Sequence, residues 1–323
     1  MDTNISFEKI VDALLDADKP FPAKYLHIFS DLSSADTATL QKSWQFIPEK
    51  RKVTWLEDLE DISDADTTTS FFEVGKLALK DALPATRELG IRLLWESEDR
   101  SLIRIFTDLL NNDPDISVQA AAASAMGRFI FLGEMEELPA KTQADIEQLL
   151  IEKFAPANPP LLRRRAIESL GFSSNPDMDE LILQAYNEPD NAMKASALFA
   201  MGHSANDAWK DIVLSNLDNP TQEMQLEAVR AAGELELQDA RDLLLEIVED
   251  EGLDQDVFLA AIWSLSQIGG EGVQQKLDAL ADDPDLDDET IDLIDSAIEN
   301  LTFNISLGNF SLLDLEDEDD KDE

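Results

Sequence analysis

Asp113-Pro114-Asp115-Ile116-Ser117-Val118-Gln119-Ala120-Ala121-Ala122-Ala123-Ser124-Ala125-Met126-Gly127 is the stretch on which the reading of this chain turns. Its pattern returns in four further segments, closing at Gly171, Gly202, Gly233 and Gly269. Five positions before each glycine stands a small residue: Ala122, Ala166, Ala197, Ala228 or Ser264. Four before it stands Ala123, Ile167, Leu198, Val229 or Leu265, and nine before it Val118, Leu162, Met193, Met224 or Ala260. These offsets share one stripe of a 3.6-residue helix, so each segment predicts an amphipathic helix whose small residue admits a neighbour at close range. The glycine is expected to be the left-handed stop. Pro114, Pro189 and Pro220 fall near the predicted helix starts, where a missing N–H costs nothing.

Upstream, Pro84 to Trp95 fits the template with Gly90 in the small slot and Trp95 in place of the final glycine. Downstream, Leu293, Ala297, Ile298 and Leu301 fit it again. The small slots fall at 90, 122, 166, 197, 228, 264 and 297, a spacing close to 32 with insertions near Gly133 and Gly252. Partner helices lie between them, among them Leu102 to Leu110, Ile146 to Phe154 and Val273 to Leu280. The first 81 residues show apolar helical periodicity in five stretches, Phe7 to Leu15, Tyr25 to Leu32, Leu40 to Ile47, Val53 to Ile62 and Phe71 to Leu79, without the signature. The prediction is an all-α chain, an α-solenoid of about nine antiparallel helix pairs. It divides into divergent helical repeats over 1–81, regular repeats over 82–302 and an acidic tail over 303–323, expected to be disordered at least from 316. The one weak strand signal is Phe303-Asn304-Ile305-Ser306-Leu307.

The Asp-Pro-Asp turn, a basic or amide residue eight before the glycine (Arg87, Gln119, Arg163, Lys194, Gln225; Ala261 departs), and the small-x-x-small-apolar-glycine ending resemble the HEAT-repeat superfamily. The resemblance is to the short HEAT-like repeats also found in phycobilisome lyases. It covers about residues 82 to 302 and implies a fold far more than a function. Di-iron hydroxylases on such repeats need His-Glu pairs, and neither His27 nor His203 is followed by Glu. HEAT-like DNA glycosylases need a basic concave face.

Composition narrows the classes. With 25 Lys+Arg against 69 Asp+Glu the net charge is −44, which sets the chain against nucleic acid phosphates and anionic bilayers. No cysteine is present, so disulfides, thiolate metal sites and a cysteine nucleophile are excluded together, and no cofactor or metal is expected. The acidic amino terminus is unlike a signal peptide and no apolar run is read as a bilayer span, so a cytoplasmic chain is expected. Charge concentrates at the end: Leu235 to Glu323 holds 28 acids and 3 bases. The acid pole serves either a basic protein partner or solubility and end protection, and a saline habitat also selects such a composition. Asp283 to Glu289 lacks the sixth-position glycine and twelfth-position glutamate of a calcium loop and reads as a helix start with acids on the dipole. No Gly-x-Ser-x-Gly, P-loop or Gly-x-Gly-x-x-Gly context occurs, and no catalytic residue is assigned.

Positions ten, seven, six and three before each glycine are expected to face solvent on the concave side. They carry Arg164, Arg165, Phe199, Leu226, Arg230, Ile262 and Trp263, an aromatic and arginine row of the composition that anchors interfaces. The alternative is that tight stacking buries Phe199, Leu226 and Trp263 between repeats. The function expected is a noncatalytic scaffold or assembly factor, a monomer, that binds a protein or extended peptide, possibly basic. Two other readings stay open: a repeat-based enzyme of the bilin-lyase kind, and an acidic chaperone for basic clients.

Overall fold

The computed structural model describes residues 5–250 and 252–319 and is helical throughout, with no strand among those residues. The chain groups into two compact units, 1–170 and 171–323, each described by itself. The first opens with α1 (Phe7–Leu15), a 3-10 segment (Ala23–Phe29), α2 (Ser34–Ser43), a 3-10 turn (Trp44–Phe46) and α3 (Glu49–Ala65). These follow the five apolar stretches of the N-terminal sequence closely, but they do not form two further regular pairs. Their core is aromatic: Phe29 meets Trp55 edge-on at 4.7 Å, Trp55 meets Trp44 at 6.0 Å, and Phe7 packs on Phe29 at 5.6 Å.

From Phe72 onward the fold is a series of helical hairpins. In the first unit these are α4 (Phe72–Ala78) with α5 (Pro84–Arg92), α6 (Ser101–Asn112) with α7 (Ile116–Glu134), and α8 (Ala140–Phe154) with α9 (Pro160–Leu170). The second unit holds α10 (Asp177–Tyr186) with α11 (Asn191–His203) and α12 (Lys210–Leu214) with α13 (Gln222–Glu234). It continues with α14 (Arg241–Ile247) and α15 (Gln255–Ile268), then α16 (Val273–Ala281) and α17 (Asp288–Asp319). The second helix of each hairpin carries one small slot, and all seven slot residues are buried. These second helices form an inner row by packing on one another, with α3 joining it ahead of the first hairpin: α3, α5, α7 and α9 in the first unit, and α11, α13, α15 and α17 in the second.

Apart from Gly269, which caps the end of α15 with a positive φ, the repeated glycines do something other than make a left-handed stop. Gly127, Gly202 and Gly233 lie inside α7, α11 and α13, and among the five only Gly269 has a positive φ. What Gly171, Gly202 and Gly233 provide is close approach. A Cβ on Gly171 would stand 2.5 Å from Ala200 Cα, one on Gly202 2.9 Å from Ala231 Cα, and one on Gly233 2.8 Å from Ser264 Cα. The left-handed stops fall three residues beyond the glycine or later, on Glu136 (φ 60), Ala205 (φ 49) and Glu236 (φ 47). At Glu236 the geometry is a Schellman turn, with Glu236 N donating to Gly233 O at 2.8 Å and Leu237 N to Ala232 O at 2.9 Å.

In α5, α7, α9 and α13 the basic or amide slot fastens the inner helix to the turn before it. Arg87 Nη1 donates to Asp81 O and Ala82 O, Gln119 Nε2 to Asp113 O, Arg163 Nε to Phe154 O and Gln225 Nε2 to Leu217 O. Those carbonyls end or follow the preceding outer helix, where the backbone lacks partners of its own. Arg87 also reaches forward, pairing both ways with Asp113 at 2.7 Å. Asp113 in turn accepts from Asp115 N at 2.9 Å, and Asp115 caps α7 through Ser117 N at 2.9 Å. The same device stands one turn earlier in the chain: buried Lys52 of α3 bonds Asp81 at 2.5 Å, Trp44 Nε1 donates to Asp81 at 2.7 Å, and Asp81 accepts from Leu83 N at 2.8 Å. Lys52 and Asp81 thus repeat the roles of Arg87 and Asp113 inside the region read as divergent. Burial raises the Asp81 carboxyl, but the hydrogen bonds from Lys52, Leu83 and Trp44 outweigh it and leave the group below the usual range.

Two further expectations differ from the structure. Ile116–Glu134 is long and apolar enough to cross a bilayer by length and composition, contrary to the sequence reading, but more than half of it is buried within the protein as a core helix. α17 runs through Phe303, where the weak strand signal lay, and on to Asp319, beyond the point at which disorder was expected. No proline interrupts it after Asp288, and a helix already nucleated extends one residue at a time at little cost. Residues 320–323 of the tail lie outside the described residues.

Candidate functional site

The inner row turns one arc of its helices toward solvent. In the first unit the arc forms a groove of about 480 Å³ across α3, α5, α7 and α9. Its walls come from the expected register: Glu88 and Arg92 on α5, Ser117, Ala120, Ala121 and Ser124 on α7, Leu161 and Arg165 on α9. Small residues on α7 make the floor, and larger side chains stand on either side. Trp95, 53% exposed, is the largest apolar wall.

Charge in the groove is partly spent internally. Arg92 grips Glu60 of α3 with two bonds, Nε to Oε1 at 2.5 Å and Nη2 to Oε2 at 2.7 Å, which locks the first two inner helices of the row together. Arg165 Nη1 pairs with Glu168 at 2.5 Å. Asp64 lines the groove without an ion pair of its own among the described residues. Burial first, then the charges of Glu60 and Asp61, push its carboxyl above the usual range, and Arg92 offsets only part of that. A cation brought by a ligand would relieve this excess.

The residues singled out from sequence fall in both units. Arg164 and Arg165 belong to the first unit and the other five to the second. Arg165 lines the groove; Arg164 is half-buried outside it. In the second unit Trp263 is 39% exposed, and Arg230, half exposed, pairs with Glu227 at 3.0 Å. Phe199 is half-buried in an aromatic cluster, its ring 4.4 Å from His203 and 6.3 Å from Phe172, and His203 stacks on Phe172 at 4.5 Å. Burial pulls the His203 imidazole down to about 4, so the ring is neutral. Leu226 is half-buried. Ile262, expected on the solvent face, is fully buried. Its position, seven before the glycine, is buried at Ala120 and Ala195 as well. Inner helices that pack side by side expose a narrower arc than an isolated helix would, and this position lies at its edge, half-buried at Glu88, Arg164 and Leu226 and closed over at Ile262.

Sequence reasoning passed over Trp95, Glu60 and Asp64. The available signal was Trp95 itself, a large ring where the repeat otherwise places glycine. Among the described residues no group of three or more His, Cys, Asp or Glu is arranged to hold a metal ion.

Helical hairpins whose second helices pack side by side in a row, as they do within each unit, define an α-solenoid repeat protein. Residues 211–296, from α12 into α17, match the family model for HEAT repeats. No curated protein matches the chain in sequence. Among solved structures it is similar to YibA of Escherichia coli, at 14% identity and TM-score 0.43 over 88% of this chain and 99% of that one. It is also similar to an engineered protein, at 17% identity and TM-score 0.39 over 92% of this chain and 88% of that one. A third is human deoxyhypusine hydroxylase in complex with glycerol, at 13% identity and TM-score 0.35 over 92% of this chain and 96% of that one.

Proposed function

We propose that the protein is a noncatalytic, cytoplasmic scaffold or assembly factor that binds a protein or extended peptide along the exposed arc of its inner helices. The observation that carries this reading is the groove over α3, α5, α7 and α9, floored by small residues and walled by exposed Trp95 and Leu161. An aromatic wall beside a shallow apolar floor, with charged groups at the rim, is the layout of an interface hot spot rather than of a reaction centre. The excess acid at Asp64 favours a basic side chain on the partner. In the second unit Trp263 and Arg230 offer the same pairing of ring and guanidinium on the same arc.

With a partner obtained from native lysate, Trp95→Ala and Trp263→Ala should each weaken binding by about 2 kcal/mol, roughly thirtyfold, and Arg165→Ala and Arg230→Ala by less. Melting temperatures should stay within a few degrees of the parent. Unchanged affinity in all four variants overturns the reading. The related possibility of an acidic chaperone for basic clients is separated by salt: its binding collapses as ionic strength rises, whereas ring-anchored binding does not.

A further inference from the structure

The outer side of the first unit carries a second concavity of different chemistry. It is a trough of about 830 Å³ between the end of α4 and one face of α6. Its floor is apolar, from Leu79, Ile105 and Leu109, and its charged residues are Lys76, Lys80 and Arg104 with a single acid, Asp108. In a chain with 69 acids and 25 bases, three bases against one acid in one concavity reverse the overall balance. None of the three bases has a carboxylate within ion-pair distance among the described residues. Lys76 lies over the Phe72 ring, 4.6 Å from its centre, and the nearby Asp99 is turned to its own helix, accepting from Ser101 N at 2.9 Å.

The shape points to the kind of ligand. α6 buries Leu102, Phe106 and Leu110 on its inner side, and the trough follows its outer face from Ser101 to Asn112. At 1.5 Å per residue this is about 16 Å, the length of about five residues of extended peptide. Threonine and asparagine side chains, Thr107, Asn111 and Asn112, line the trough and could bond a peptide backbone. We propose that this trough is a docking site for an acidic peptide segment of a protein partner, in which carboxylates meet Lys76, Lys80 and Arg104 and alternating apolar side chains lie on Leu79, Ile105 and Leu109. The site is independent of the groove on the inner row, and the two would let one chain hold two partners of opposite charge. At physiological ionic strength the Debye length of about 8 Å screens the distant acids of the chain, while contact-range pairs inside the trough persist.

The test uses full-length protein and a fluorescein-labelled peptide of sequence Val-Glu-Ile-Asp-Val-Glu, read by anisotropy at physiological salt, beside its amide analogue Val-Gln-Ile-Asn-Val-Gln. The acidic peptide should bind about tenfold tighter than the analogue, and Lys80→Gln and Arg104→Gln should each weaken it about fivefold. Both side chains are exposed, so both variants should melt as the parent does, and Lys153→Gln, remote in sequence and outside the trough, should change nothing. Absence of binding, equal binding of the two peptides, or indifference to both substitutions overturns the proposal. So does displacement of the peptide by inorganic pyrophosphate at equal concentration, which would make the site an oxyanion site rather than a peptide trough.

Discussion

The N-terminal helices α1–α3 and the hairpins from α4 onward cover their helix faces with opposite materials. In the first, rings do the filling: Phe7, Phe29, Trp44 and Trp55 interlock edge to face. In the second, what matters at the inner row is the absence of bulk, with Ala197, Ala228 and Ser264 buried and glycines set against the backbone of the next helix. Large rings tolerate variable spacing and accept 3-10 turns between short helices, so they leave no period in the sequence. Backbones in near contact allow one geometry only, and the chain must repeat it.

That contrast can be broken from either side. Trp55→Ala removes the ring that joins Phe29 to Trp44 and should cost about 4 kcal/mol, by far the largest loss of any single truncation proposed here, read as a fall in the chemical-denaturation midpoint. Gly171→Ala adds one carbon 2.5 Å from a backbone atom and should cost about 1–3 kcal/mol, more than an alanine costs almost anywhere else in a helical protein. A neutral result would show that the inner helices separate freely, and with it the explanation of the repeat would go.

The aromatic cluster of the second unit sharpens the comparison because one of its members titrates. His203 is neutral in the fold, with its ring held down to about 4 by burial, while in an unfolded chain it takes a proton near 6.5. Its contribution to stability is therefore complete above about pH 6.5, declines as pH falls from there to about 4, and is constant below. Glu234, whose Oε2 lies 4.0 Å from His203 Nδ1, is itself pushed up by burial and offers the imidazolium little compensation. His203→Phe keeps a ring against Phe172 and should lose this dependence, so that its melting temperature overtakes the parent's progressively across that range. Parallel curves would place the imidazole in water.

How much of this was legible beforehand depends on whether a feature is written in one helix or between two. The seven small slots identified the seven hairpins, because a residue that must be small is visible one position at a time. The two roles of the glycines are not separable in the sequence, since one that ends a helix, as Gly269 does, and one that lets another helix come near look alike. The difference shows where a helix continues past the glycine, as α7 does to Glu134. Ile262 was placed in solvent because the phase of a lone helix says nothing of the neighbour that closes its flank. Trp95 and Asp64 come together from α3 and the segment after α5, and no local pattern joins them. The smallest expected effect follows from the same correction: Glu236→Gly relieves a left-handed residue that carries a side chain and should stabilise by about 0.5–1 kcal/mol, measurable as a small rise in melting temperature.

The seam between inner helices has one more consequence. Gly171 meets Ala200 as Gly202 meets Ala231, so in the second unit the two sides of a hairpin are copies of a common joint. A hairpin excised whole brings like surfaces together again, and one inserted whole finds them waiting. A single side chain altered at the joint has no such remedy. Inheritance can therefore lengthen or shorten such a chain in whole steps more readily than it can edit the seam, and the span of ligand a descendant can hold is counted in duplications.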